Sequence, residues 1–168
     1  MSAASQVLSG AFLTEFLESP DWQREAERWG WAIQRPTPLT LVVSLNARPL
    51  PGVDDTFTLK LSCEFCPDFP PNILFVNPAT QAYDPALDQR HVAQLTAPDC
   101  RTHLNYGFQT PYPYGPQLVC TSLGHGYYVS GHAPTPDQRW DPLRHSVGSA
   151  IAVVQRTLVH PQHYQGRF

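Results

Sequence analysis

Hydrophobic positions along this chain first repeat at helical spacing, then at every second residue, then at helical spacing again. Leu8, Phe12 and Phe16 predict a first helix between Val7 and Ser19. A second helical piece starts at Ser19-Pro20-Asp21, where an N-cap residue, a first-position proline and a first-turn carboxylate coincide. Trp22, Ala26 and Trp29 share one of its faces, and Gly30 is its stop signal. From Trp31 the period becomes two. Trp31 and Ile33 alternate, followed by Leu39, Leu41, Val43 and Leu45 against Thr40, Ser44 and Asn46. The Pro/Gly-rich stretch 47–55 returns the chain into Phe57, Leu59, Leu61 and Cys63, alternating with Thr58, Lys60, Ser62 and Glu64. This pattern predicts an antiparallel meander with one buried face. Pro70-Pro71 forces an extended approach to a fourth strand, Ile73-Leu74-Phe75-Val76.

Residues 77–119 carry little periodicity, and so long an irregular stretch in a compact domain points toward function. The final element predicted is a helix opening at Pro142, with Leu143, Val147, Ile151, Val154 and Leu158 as one stripe packed on the sheet, ending near His160-Pro161. Helices, an antiparallel meander and a closing helix make the fold class α+β. With no repeat or linker, residues 1–168 form one domain.

Composition narrows the function classes. A net charge of −3 without a basic cluster gives no argument for nucleic acid or membrane partners. Before Arg24 the chain has no positive charge, and no apolar run approaches membrane-spanning length, so a cytoplasmic protein is expected. In that compartment the four cysteines stay reduced, and a special cysteine is better explained by metal binding or catalysis than by a disulfide. Eighteen prolines imply stiff connections, and Pro111, Pro113 and Pro116 crowd the approach to Cys120.

Three landmarks stand in order: Phe69-Pro70-Pro71-Asn72-Ile73-Leu74-Phe75, then Leu118-Val119-Cys120, then Trp140-Asp141-Pro142. From about Trp22 to Pro161 this order resembles the ubiquitin-conjugating (UBC-like) family. The short C-terminal part is similar to that of divergent conjugating proteins of bacterial ubiquitin-like operons, some implicated in antiphage defence. The resemblance implies an N-terminal helix, a four-stranded antiparallel meander, a long active-site loop and a C-terminal helix on the sheet. It also implies a transferase that accepts a ubiquitin-like protein from an activating (adenylating) enzyme as a cysteine thioester and passes it to an amine of an acceptor protein. A UBC-like module that has lost catalysis and only binds such a partner is the alternative.

A cysteine after Leu-Val is ordinarily inert core, but its slot between the proline-rich loop and Trp140 makes Cys120 the expected nucleophile. Asn105, His125 and His132 are the candidates for oxyanion stabilisation or proton transfer, each weighed against being a plain loop residue. Asn105 lies in His103-Leu104-Asn105, which resembles the family's histidine-proline-asparagine motif but stands fifteen residues before Cys120. Tyr112, Tyr114, Tyr127 and Tyr128 are candidates to line a channel for the modifier's tail. A third reading, a cysteine hydrolase pairing Cys120 with His125, lacks an evident orienting acid. Cys63-x-x-Cys66 and Cys100-x-x-His103 have zinc-ligand spacing, yet Cys63 continues the buried stripe of its strand. Neither metal nor cofactor is expected.

Overall fold

The computed structural model describes residues 3–48, 55–107 and 117–168. The chain begins with helix α1 (Ala3–Glu18) and helix α2 (Pro20–Trp29). Ser19 caps α2 by accepting from Trp22 N, and Gly30 ends it in the left-handed region (φ 66°, ψ 34°), as the cap and stop residues dictate. The apolar face of α1 is rotated from the predicted one. Leu13, Phe16 and Ser9 are buried, Phe12 is partly buried, and Leu8 is exposed. Ser9 explains the rotation: its hydroxyl donates to Glu64 O and Cys66 O, turning this side of the helix inward.

Strands β1 (Ala32–Thr37), β2 (Thr40–Asn46), β3 (Thr56–Ser62) and β4 (Asn72–Val76) form an antiparallel sheet in the order β1-β2-β3-β4. The register aligns Leu41 with Leu61, Val43 with Leu59 and Leu45 with Phe57, then Leu59 with Phe75 and Leu61 with Ile73. Burial is not confined to that face, because Val42, Thr58, Leu74 and Val76 on the other are buried too. The segment after β4 reaches back to this second face: Lys60 Nζ donates to Gln81 O (3.0 Å), and Gln81 donates to Gln34 (2.9 Å).

The stretch 77–119 is not irregular throughout. It carries a 3-10 turn (Gln89–His91) and strands β5 (Ala93–Leu95) and β6 (Arg101–His103), and β7 (Leu118–Cys120) follows at its end. β6 pairs with β7, and β5 pairs with β8 (Tyr164–Arg167), a C-terminal strand with no periodic signal. Each of the first three has only three residues, too few for alternation to register. The Thr102 hydroxyl donates to Ala93 O (2.6 Å) and accepts from Leu95 N (2.9 Å), stitching β6 to β5. Gln117 is fully buried; its Oε1 accepts from Phe75 N (2.7 Å) and its Nε2 donates to Phe75 O (3.0 Å).

A short helix, α3 (His125–Val129), follows β7, and the last helix is α4 (Val147–Val159). α4 begins five residues after Pro142, and Leu143 is 95% exposed, outside the stripe assigned to it. Asp141 is the cause: its carboxylate accepts from Leu143 N, its carbonyl accepts from Arg144 N and His145 N, and a separate turn results. Ser146 and Ser149 then open α4 with a reciprocal capping box. Val147, Ile151, Val154 and Leu158 are buried in the common core, where Gln155 accepts from Trp31 Nε1 (2.8 Å) and donates to Asn46 O (2.9 Å). Phe16, Trp22 and Trp31 form an aromatic ladder with centroid spacings of 4.4 and 5.3 Å. Among the described residues no helix is long and apolar enough to cross a membrane.

Trp140 is buried, and its indole N–H donates to Pro67 O (2.7 Å) while its backbone N–H donates to Tyr128 Oη (2.8 Å). It therefore ties the loop before β4 to α3, and its ring stacks on His145 just before α4. Trp140→Ala is expected to cost about 3–5 kcal/mol and to lower the melting temperature by about 6 °C or more. Thermal unfolding followed by circular dichroism measures this, and wild-type melting would contradict the tie.

Candidate active site

Of the four cysteines, Cys63, Cys66 and Cys100 are buried and only Cys120 is partly accessible. Burial raises the Cys100 thiol to about 12, against a hydrogen bond to Thr157 that acts the other way. Cys66 is pushed up further, first by its hydrogen bond with Cys63 and then by burial. Protonated, enclosed thiols of this kind are poor nucleophiles. Among the described residues no group of three or more His, Cys, Asp or Glu side chains is placed to hold a metal, so the Cys63/Cys66 and Cys100/His103 pairs do not converge into a four-ligand centre.

Cys120 ends β7, opposite Arg101 of β6. The chain turns sharply there: Thr121 N bonds to Val119 O, Gly124 N to Thr121 O, and His125 N to Pro71 O (2.9 Å). The last bond fastens the start of α3 to the proline-rich approach of β4. After α3, Gly131 takes a φ of +84°, open to glycine and strained for other residues. This reversal accompanies the return of His132 to the thiol, with Cys120 Sγ and His132 Nε2 3.8 Å apart. The other ring nitrogen, Nδ1, lies 2.7 Å from Ser130 Oγ, and that hydroxyl donates to Tyr127 O (2.9 Å). Tyr127 stacks on His132 with ring centroids 4.5 Å apart, and Tyr106 lies 6.4 Å away. Burial raises the Cys120 thiol above its ordinary value, and the Arg101 guanidinium opposes this in part.

The thiol opens into a cleft of about 260 Å³ lined by Asp99, Thr121, Leu123, Tyr127, Gln138 and His145 among others. His145 and Leu123 also line a larger cleft of about 640 Å³ between α2 and α4. His145 Nδ1 accepts from Asp141 N (3.2 Å), and its ring stacks on Trp140. Tyr128 Oη accepts from Trp140 N and donates to Ser122 O (3.1 Å), so Tyr128 braces the wall of the site.

Comparison with family models, curated proteins and solved structures gives no match. The site therefore rests on its own geometry.

Of the sequence candidates, the structure brings His132 to Cys120 and leaves the other two apart from the thiol's polar contacts. His125 stacks on Phe65 (4.7 Å) and meets Phe69 edge-on (5.7 Å), with Nδ1 buried and without a hydrogen-bond partner. It is a packing residue of the α3 start. Asn105 is exposed, beyond the end of β6, with a φ of +55°. Asparagine tolerates this left-handed turn better than most residues, which gives it a backbone reason to be there. Tyr112 and Tyr114 lie outside the described residues. Ser130, Gln138 and His145 escaped the sequence reading. The one legible signal near them was Ser130-Gly131-His132, where glycine marks a reversal.

Burial holds the His125 imidazole below its ordinary value of 6.5, against an opposing effect of Glu64. His103 is lowered likewise by burial, then by Arg101 and His132. As pH falls through about 6.5, both imidazoles gain a proton in the unfolded chain before they do so in the folded one. The unfolded state then binds more protons, so stability falls with pH over that window. The urea midpoint is expected to be lower at about pH 5.5 than at about pH 7.5, with a smaller difference in His125→Phe. A difference of unchanged size in that variant would assign the acid sensitivity to other groups.

Proposed function

We propose that the protein is a ubiquitin-conjugating-like transferase that carries a ubiquitin-like protein as a Cys120 thioester, in a conjugation system of the bacterial type. The observation that carries this reading is the pairing of the one partly accessible thiol with the Nε2 of His132, at the mouth of a cleft. Two further features support it. The four-stranded meander stands before the cysteine in the expected order. The Trp140 indole is hydrogen-bonded to Pro67 O, two residues before the Phe69–Phe75 landmark, so the tryptophan corner lies against the approach to β4.

In loading, the Cys120 thiol gives its proton to His132 Nε2, and sulfur attacks the carbonyl carbon of the modifier's thioester on the activating enzyme. The new S–C bond replaces the old one, and the departing thiolate takes up a proton. Discharge runs through the same atoms: an acceptor amine attacks, the N–C bond forms, the S–C bond breaks, and the amine's proton returns to Cys120 by way of His132. Because burial keeps the thiol protonated, a neighbouring base is required for attack near neutral pH.

With a matched activating enzyme, ATP and its ubiquitin-like protein, the wild-type chain is expected to gain an adduct that excess thiol removes. Cys120→Ala should lose it, and His132→Ala should load about a hundredfold more slowly. Gel shift with and without reductant reads all three. An adduct that forms on Cys120→Ala, or that resists thiol in the wild type, would falsify the thioester assignment. Tight binding of the ubiquitin-like protein with no adduct would select the inactive module.

A further inference from the structure

We propose that Ser130 is a positioning residue that fixes His132 in one tautomer, with the proton on Nδ1 and the lone pair of Nε2 facing Cys120. This rests on the Cys120–His132 pairing of the proposed function and adds the group that makes the pairing directional.

A serine hydroxyl has one hydrogen to donate and lone pairs to accept with. Ser130 donates that hydrogen to Tyr127 O, the carbonyl three residues earlier in α3, at 2.9 Å. Its oxygen is then an acceptor toward His132 Nδ1 at 2.7 Å, so Nδ1 carries the ring hydrogen. A neutral imidazole has one N–H, which leaves Nε2 as a base, and Nε2 is the nitrogen 3.8 Å from Cys120 Sγ. With the opposite tautomer an N–H would point at the thiol and nothing would accept its proton.

The same contact favours the charged pair. Once Nε2 has taken the thiol proton, the imidazolium donates to Ser130 through a charge-assisted bond, stronger than the neutral one. Ser130 thus promotes the thiolate through His132 without touching the sulfur. The other groups facing the pair are placed differently. Arg101 and His103 lie on β6, Tyr106 and Tyr127 present ring faces, and Asp99, Asp137 and His145 line the cleft. Among the described residues, the hydroxyl of Ser130 is the polar group within hydrogen-bond distance of Nδ1. Gly131 and the end of α3 hold it there, since the bond to Tyr127 O fixes the Ser130 rotamer.

The test uses the full chain alone and needs no conjugation partner. Iodoacetamide alkylation of Cys120, in which an S–C bond forms and iodide leaves, is followed by peptide mass spectrometry across pH. Its midpoint reports the fraction of Cys120 present as thiolate. Ser130→Ala is expected to move that midpoint upward by about one unit and to slow alkylation near neutral pH about tenfold. Ser130→Thr, which keeps the hydroxyl, should restore both. In a His132→Ala background the Ser130→Ala change should have no further effect. A merely structural Ser130 would lower the melting temperature and leave the midpoint unmoved. Coincident wild-type and Ser130→Ala titrations, or a Ser130 effect that persists without His132, would overturn the proposal. A chain that loads through Cys120 yet titrates independently of Ser130 keeps the conjugating function and loses the positioning role. The reverse result, Ser130-dependent titration without loading, keeps the positioning role and loses the conjugating function.

Discussion

The arrangement depends most on the buried carboxamide of Gln117. β4 is an edge strand, and the free N–H and C=O of Phe75 on that edge face the interior. Leaving such groups unpaired is costly, and a further strand would normally satisfy them. Here one side chain does so, with both bonds made to the same residue. Since Gln117 immediately precedes β7, the pairing sets where the three residues ending in Cys120 lie against the sheet. From there β7 positions β6, Thr102 joins β6 to β5, and β5 takes up the C-terminal strand. Replacing the amide with an apolar side chain would leave both backbone groups of Phe75 without that partner, with β7 then held by its pairing to β6 and by buried Leu118 and Val119.

The site is assembled from short pieces held at their ends. His125 N to Pro71 O fastens α3, the Trp140 corner fastens the loop before β4 to Tyr128, and Gly131 reverses the chain. Between these points the thiol and the imidazole have little freedom to separate. The half-buried thiol is stored in its protonated form, with a base already beside it. A thiol held in that form reacts slowly with oxidants and alkylating agents, and on the proposed function the neighbouring imidazole would be what releases it for attack.

The sequence was most legible where local chemistry and tertiary packing agree. Ser19, Pro20 and Gly30 bound α2 because caps act within a few residues, and β2 and β3 place Leu41, Val43, Leu45, Phe57, Leu59 and Leu61 at every second position toward the common core. It was misleading where a local signal had a second use. Pro142 looks like a helix start, but Asp141 spends the neighbouring N–H groups on its own turn. Ser9 turns the α1 face by bonding to backbone fifty-five residues away. Cys120 stands out from its surroundings in the chain, and the structure makes it the one partly accessible cysteine. Which of Asn105, His125 and His132 lies beside its thiol was not legible, because that depends on how a five-residue helix and a glycine reversal aim the chain. His125 is nearer in sequence, and its ring is committed to Phe65 and Phe69.

On the proposed function, a chain that held an activated acyl group on sulfur would have to coexist with its own nucleophiles. Lys60 is the sole lysine among eleven basic Lys and Arg residues. It lies in the middle of β3, half-buried, with Nζ donating to Gln81 O. Arginine stays protonated and does not compete as a nucleophile near neutral pH. The side chains of a loaded molecule would therefore offer its cargo almost no internal amine, and the lifetime of the charged form would be set by outside acceptors and by water.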